Sequence, residues 1–162
     1  MNALSRRFYT NEVSSEFLQS LDQAPFTEQQ LEGFSEQALA CHRQNLIFCE
    51  NHPPIAIRRM ATEGSQTRYG GVIVQASGVV QITLEDDQEV RVARVGDYAL
   101  YANGQTARIV TGAGQSNSHV ALVGSQLDNG DTIINTPQNV SLFVIRDGSP
   151  MPEDFLPCVG NE

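Results

Sequence analysis

The sequence predicts a mainly β body of three hairpin-like repeats with an α-helical extension ahead of it. Three observations lead there. First, Met60-Ala61-Thr62-Glu63-Gly64-Ser65, Val92-Ala93-Arg94-Val95-Gly96-Asp97 and Val120-Ala121-Leu122-Val123-Gly124-Ser125 are three versions of one hexapeptide, and self-similarity of this kind constrains a fold before any other pattern. Second, each copy is followed by a polar segment, a second glycine (Gly70 with Gly71, Gly104, Gly130) and a β-rich run. Third, the periodicity changes from helical to strand-like near Pro53-Pro54.

The repeat is uneven: Gly64 to Gly96 spans 32 residues and Gly96 to Gly124 spans 28. A solenoid needs a constant rung, so strand–turn–strand units joined by loops of different length fit better. Glycine belongs at such turns because it reaches positive φ without a steric cost. Three hairpin-like units would then share one axis of pseudo-symmetry.

Ahead of the repeats, residues 12–22 place Val13, Phe17, Leu18 and Leu21 on one face of a short helix closed by Pro25. Thr27 and Gln30 form a capping-box pattern that opens a second helix over about 27–49. Its stripe is Leu31, Phe34, Ala38, Cys41 or His42, and Leu46. From residue 55 onward, short β-branched runs predict strands at 72–74, 79–84, 89–95, 107–110, 119–123, 132–134 and 140–145. Residues 89–95 alternate polar and apolar, as a strand with one wet face does. Turn chemistry separates the runs, and Asn103-Gly104 and Asn129-Gly130 are its strongest hairpin signals. Pro150, Pro152 and Pro157 predict an extended end. The chain thus divides into a helical extension over 1–54, a β body over 55–138, and a C-terminal strand and tail over 139–162.

Composition narrows the function. The chain has 162 residues and a net charge of −9, with ten arginines, no lysine and nineteen acids. Neutralising phosphates takes clustered Lys or Arg, and the only doublets are Arg6-Arg7 and Arg58-Arg59, so nucleic acid is not an expected partner. No apolar run approaches the ~20 residues that span a bilayer, and the polar N-terminus lacks a secretory h-region; a cytoplasmic start is expected. Cys41, Cys49 and Cys158 are an odd set without a close pair, which predicts free thiols. Cys41, His42, Cys49 and His52 could be assembled into a metal site. The bland alternative makes the two cysteines small apolar helix residues and leaves His52 in a solvated turn before Pro53.

Catalytic chemistry is poorly supported. Asp97, Asp128 and Asp131 could pair as carboxylates, but their places beside glycine turns favour service to the backbone. Glu85-Asp86-Asp87 reads as a solvated hairpin end able at most to bind Ca²⁺ weakly. The stretch from Thr111 to Ser116 superficially resembles a phosphate loop yet lacks the following Lys-Ser or Lys-Thr. With three dispersed histidines and no nucleophile elbow, an enzyme is not expected.

The segment Arg91-Val92-Ala93-Arg94-Val95-Gly96-Asp97, with the first repeat before it and the third after it, resembles the PAAR-repeat family, named after a Pro-Ala-Ala-Arg element. The resemblance covers roughly residues 55–138 and rests on three elements in the family's order with matching glycines: Gly64, Gly70 and Gly71; Ala93, Arg94, Gly96, Asp97 and Gly104; Gly124 and Gly130. It implies a small conical β-structure whose broad base sits on the blunt end of a homotrimeric β-helical spike, one tip per trimer. Such tips sharpen the spikes of type VI secretion systems, phage tails and tailocins for puncturing a membrane. Residues 1–54 would dock an effector or baseplate component, and the protein would pass from the bacterial cytoplasm to the outside on the assembled apparatus. A small β-helix enzyme or carbohydrate-binding protein is the alternative; constant rungs and an acid–base histidine would favour it.

The family commonly staples its apex with zinc, held by histidines and a cysteine in the turns. In register, Tyr69 stands where the first repeat would offer His, Tyr101 and Asn103 where the second would offer Cys and His, and Asn129 where the third would offer Cys. None is a good zinc ligand, so the resemblance implies an apex without the metal. Either Tyr69 and Tyr101 pack and hydrogen-bond there, with Asn103 or Asn129 partnering a buried hydroxyl, or all four are ordinary turn residues. His119, the β body's only histidine, reads as an exposed strand or loop residue.

Overall fold

The computed structural model describes residues 7–22 and 26–156; Arg6, Pro25, Pro157 and Cys158 lie outside them. The fold is mainly β, with short strands in small antiparallel sheets and few helices. Two compact units divide the chain: Met1–Asn11, Arg58–Phe143 and Met151–Glu162 in one, Glu12–Ile57 and Val144–Pro150 in the other. The sequence boundaries fall at 54/55 and 138/139, whereas the unit boundaries fall a few residues later and return Tyr9–Asn11 to the repeat-bearing unit. Tyr9 exchanges both backbone hydrogen bonds with Thr136 (2.8 and 3.0 Å). Asn11 accepts from Arg59 N and donates to Val123 O, each at 2.8 Å.

In the helical unit, side-chain caps start every helix. Ser14 accepts from Phe17 N ahead of α1 (Ser15–Ser20), and Thr27 and Gln30 close the capping box of α2 (Glu28–Glu32). The single helix expected over 27–49 is two: Gly33 caps α2, and Ser35 starts α3 (Glu36–Asn51) by accepting from Ala38 N at 3.1 Å. The break at Gly33–Phe34 leaves the first N–H groups of α3 without intrahelical partners, and the Ser35 cap offsets that cost by accepting from one of them. No residue of the three helices is buried. Within the stripe, Phe34 and His42 meet the Phe26 ring edge-on, at 4.9 and 5.7 Å.

The other unit holds the repeats. Strands β2 (Val72–Ile73), β5 (Tyr98–Leu100) and β6 (Thr106–Arg108) form one antiparallel sheet; β3 (Gln81–Thr83) pairs with β4 (Glu89–Arg91). β1 (Pro54–Arg59) pairs with β7 (Leu142–Arg146), each running from one unit into the other. The strand at 98–100 follows no β-branched run, and sequence reading places it in a polar segment. Conversely, the runs at 119–123 and 132–134 contribute isolated bridges rather than strands.

All three repeats have one hairpin geometry. Gly64, Gly96 and Gly124 adopt φ of 93°, 99° and 109° and donate to the carbonyls of Ile73, Ile109 and Ile133. The last hexapeptide residue reaches back to cap the turn: Ser65 accepts from Thr62 N (3.0 Å), Asp97 from Arg94 N (2.8 Å) and Ser125 from Leu122 N (2.9 Å). That is why serine or aspartate stands there. The hairpin tips carry Gly70, Gly104 and Gly130 at φ of 94°, 86° and 86°.

Candidate functional site

The three hairpins close on one another. Ala61 N donates to Ala121 O, Ala121 N to Ala93 O and Ala93 N to Ala61 O, at 2.8, 2.8 and 2.9 Å. This head-to-tail triangle is flanked by three equivalent antiparallel bridges, Thr62 with Val92, Arg94 with Val120 and Leu122 with Met60. Toward the tips, Ile73 pairs with Ala99, Ile109 with Leu127 and Ile133 with Thr67, so each hairpin's return strand meets the next hairpin's outgoing strand. Such a ring has no edge between its repeats. Alanine is needed at its centre because three backbones converge there; all three alanines have no exposure. The next layer is Ile73, Ile109 and Ile133, each about 1 % exposed.

At one end of this ring lie the hairpin tips, with the residues that the resemblance would put at an apex. Hairpin 2 is the longest: its pairing starts at Tyr98 with Arg108 and extends to Leu100 with Thr106, where Gln66 with Val72 and Gln126 with Thr132 are the corresponding pairs of the other two. The extra length brings Tyr101 against the core. Its hydroxyl donates to Asp131 Oδ2 at 2.5 Å and accepts from Asn129 Nδ2 at 3.1 Å. Asp131 is fully buried and accepts also from the backbone N–H groups of Tyr69 and Thr132. Gly71 makes room: a Cβ there would lie 2.9 Å from the Tyr101 ring and from Thr67 Oγ1. Burial drives the Asp131 carboxyl up, but hydrogen bonds from Thr67, Tyr101, Thr132 and Tyr69 outweigh it and hold it below the usual carboxylate range. Burial, with the bond to Asp131, pushes the Tyr101 phenol above its ordinary value.

The four apex candidates therefore part ways. Tyr101 and Asn129 meet; Tyr69 is 62 % exposed and contributes its backbone N–H; Asn103 bonds to Gln105 within its own turn. Asp97 and Asp128 cap backbone N–H groups, of Arg94 and Arg108. Sequence reasoning gave Asp131 the same turn role and missed its burial. One signal marked it: Gly71, Ala107 and Asp131 occupy equivalent core-facing places, and only one is charged. A tetrahedral zinc ion takes N and S donors, and this end of the ring offers phenols, amides and one carboxylate already taken by four donors. The residues do not fit that ion. The cysteine–histidine alternative in the helical unit is not assembled either: His42 stands edge-on to Phe26, His52 Nδ1 meets Asp147 O at 2.9 Å, and among the described residues no group of three metal-ligating side chains occurs.

The other end is apolar and concave. Side chains alternate along a strand, so Met60, Val92 and Val120, one residue before the ring alanines, face away from the alanine–isoleucine core. They line a cavity of about 420 Å³, completed by Val79, Val80 and Phe143 and rimmed by Arg94, Asn117 and Ser118. Val79 is 88 % exposed and Val80 50 %. Ser118 and His119, with φ of 57° and 54°, hold the rim loop in the left-handed region that non-glycine residues rarely enter. The ring thus has one polar, internally satisfied end and one apolar end, where Met60, Val92 and Val120 pack against Ile82, Leu84 and Val90 and leave the cavity beside them.

The chain matches no family model, no curated protein and no solved structure.

Proposed function

We propose that this protein is the tip of a trimeric β-helical spike in a contractile injection machine of the type VI secretion, phage tail or tailocin kind. The closed alanine triangle supports the reading most. It gives a single chain three equivalent faces, which suits a one-to-three match with a homotrimer. In this reading the ring is the body of a cone, the Tyr101–Asp131 end is its point and the apolar end is the docking base. An exposed apolar concavity is the chemistry of a docking surface. The point asks for rigidity rather than reactivity, and a buried carboxylate with four donors supplies it. The helical unit, with no buried residue of its own helices, suits a second role as adaptor for an effector or baseplate component. Co-expression with the spike protein encoded alongside tests the reading: a stable complex of one chain per trimer is expected, and a chain that stays free of every trimeric partner would sink it.

A further inference from the structure

Arg94 is the one charged residue lining the cup, whose other polar side chains are Asn117 and Ser118. Its Nε donates to Ser118 O at 3.1 Å, which fixes the plane of the guanidinium. Among the described residues no carboxylate is paired with its guanidinium. Thr62 and Leu122 hold the equivalent places in the other two repeats, so the charge is particular to one side of the cup. A cation at the mouth of an apolar cavity favours a ligand that is apolar along its length and anionic at one point. The ligand's backbone narrows this further. A segment passing through the cup would bring two runs of peptide groups, and only Asn117 and Ser118 offer polar side chains to them. A chain end brings one run, and its charge sits on the backbone itself, so fewer buried polar groups go unpaired.

We propose that the cup receives the apolar C-terminal end of a partner chain, with the terminal carboxylate against Arg94. This deepens the docking reading and rests on it for the identity of the chain that supplies the end. The test titrates the full-length protein with N-acetyl-Leu-Val-Val as the free acid and as the C-terminal amide, following the methyl resonances of Val79, Val80, Val92 and Val120. The acid is expected to bind about tenfold more tightly than the amide, and Arg94→Gln is expected to bring the two level. Should that variant fold poorly, the wild-type acid–amide ratio measured at low and at 1 M salt replaces it, and the ratio should shrink with salt. Equal binding of acid and amide, or shifts confined to another surface, would overturn the proposal. So would decanoate binding as tightly as the peptide acid, which would make the cup a site for free amphiphiles. If the spike co-purifies while acid and amide bind alike, this proposal falls and the tip reading stands; the reverse outcome removes the tip reading alone.

Discussion

The ring and the helical unit are made in opposite ways. In the ring, residues far apart in sequence meet at equivalent places: Ala61, Ala93 and Ala121 bond head to tail, and Ile73, Ile109 and Ile133 fill one layer. In the helical unit the bonds that start each helix are local, through Ser14, Thr27 and Ser35, and no helix residue is buried. Long-range burial is what makes structure costly to lose, whereas caps contribute only about 1 kcal/mol each. The largest expected effect sharpens this contrast. Ile109→Ala, at 1 % exposure, should cost about 2–5 kcal/mol in a denaturant titration. Ile47→Ala, at 59 % exposure, should stay within about 0.5 kcal/mol. Comparable losses would mean that the helical unit is not the weakly packed one.

Next comes the Tyr101–Asp131 cluster. Tyr101→Phe removes one of the four donors to a buried carboxylate and should cost about 1–3 kcal/mol at neutral pH. Its pH dependence follows from Asp131, whose folded pKa lies below the ordinary value. That contribution is present above the unfolded carboxylate pKa and is lost as pH falls through the folded one. The gap between wild type and Tyr101→Phe should therefore narrow on acidification, as read by denaturant midpoints at several pH values. On the alkaline side the raised Tyr101 pKa acts oppositely: its contribution is present below the ordinary phenol value and fades as pH climbs past the folded one. A gap that held constant through the acid range would break the assignment of Asp131 as the charged partner.

Legibility in sequence followed the same divide between repeated and unique features. The three hexapeptides marked the hairpin turns because glycine with a following Ser or Asp is a local backbone signature, and Gly64, Gly96 and Gly124 all sit at positive φ. Thr27 marked a capping box for the same local reason. What sequence did not show depended on contacts across repeats. Tyr98–Leu100 became a strand because hairpin 2 is longer and lies against Val72 and Ile73, not because of its own propensity. Asp131 looked like a turn residue beside Asn129-Gly130, and its burial depends on donors from other repeats, Tyr101 and the Tyr69 N–H among them. The alanine triangle needs three backbones at once, so no single hexapeptide announces it.

Two glycines separate the units at a finer scale. Gly96 has φ of 99° with no atom within 4 Å of a would-be Cβ, so Gly96→Ala meets no clash and pays only for a backbone that L-residues avoid. A loss of about 1–2 kcal/mol is expected. Gly33, the cap of α2, has φ of −84°, and a Cβ would find only ordinary contact at 3.5 Å from Gln30 O. Gly33→Ala should be neutral or gain about 0.4–1 kcal/mol by restricting the unfolded chain. Opposite signs, measured by thermal melts of the two variants, would tie the repeat glycines to φ and the helical one to nothing more than convenience.

The smallest effect belongs to the ion pair of the helical unit. Arg146 reaches Asp22 with both terminal nitrogens, at 2.6 and 2.9 Å, while also donating to His52 O at 3.0 Å. The hydrogen bonds from Arg146 hold the Asp22 carboxyl below its usual range against a smaller opposing push from burial. The pair is partly exposed, at 17 % and 20 % of the two side chains, so solvent screens it and Asp22→Asn should cost no more than about 1 kcal/mol. A lowered carboxylate pKa stabilises above the unfolded value and stops doing so as pH falls through the folded one. Wild type and Asp22→Asn should thus differ in helical circular dichroism melts at neutral pH and converge in acid, with the Ile109 methyl resonance unchanged throughout. A shift of that resonance between the two proteins would show that loss of the ion pair is felt beyond the helical unit.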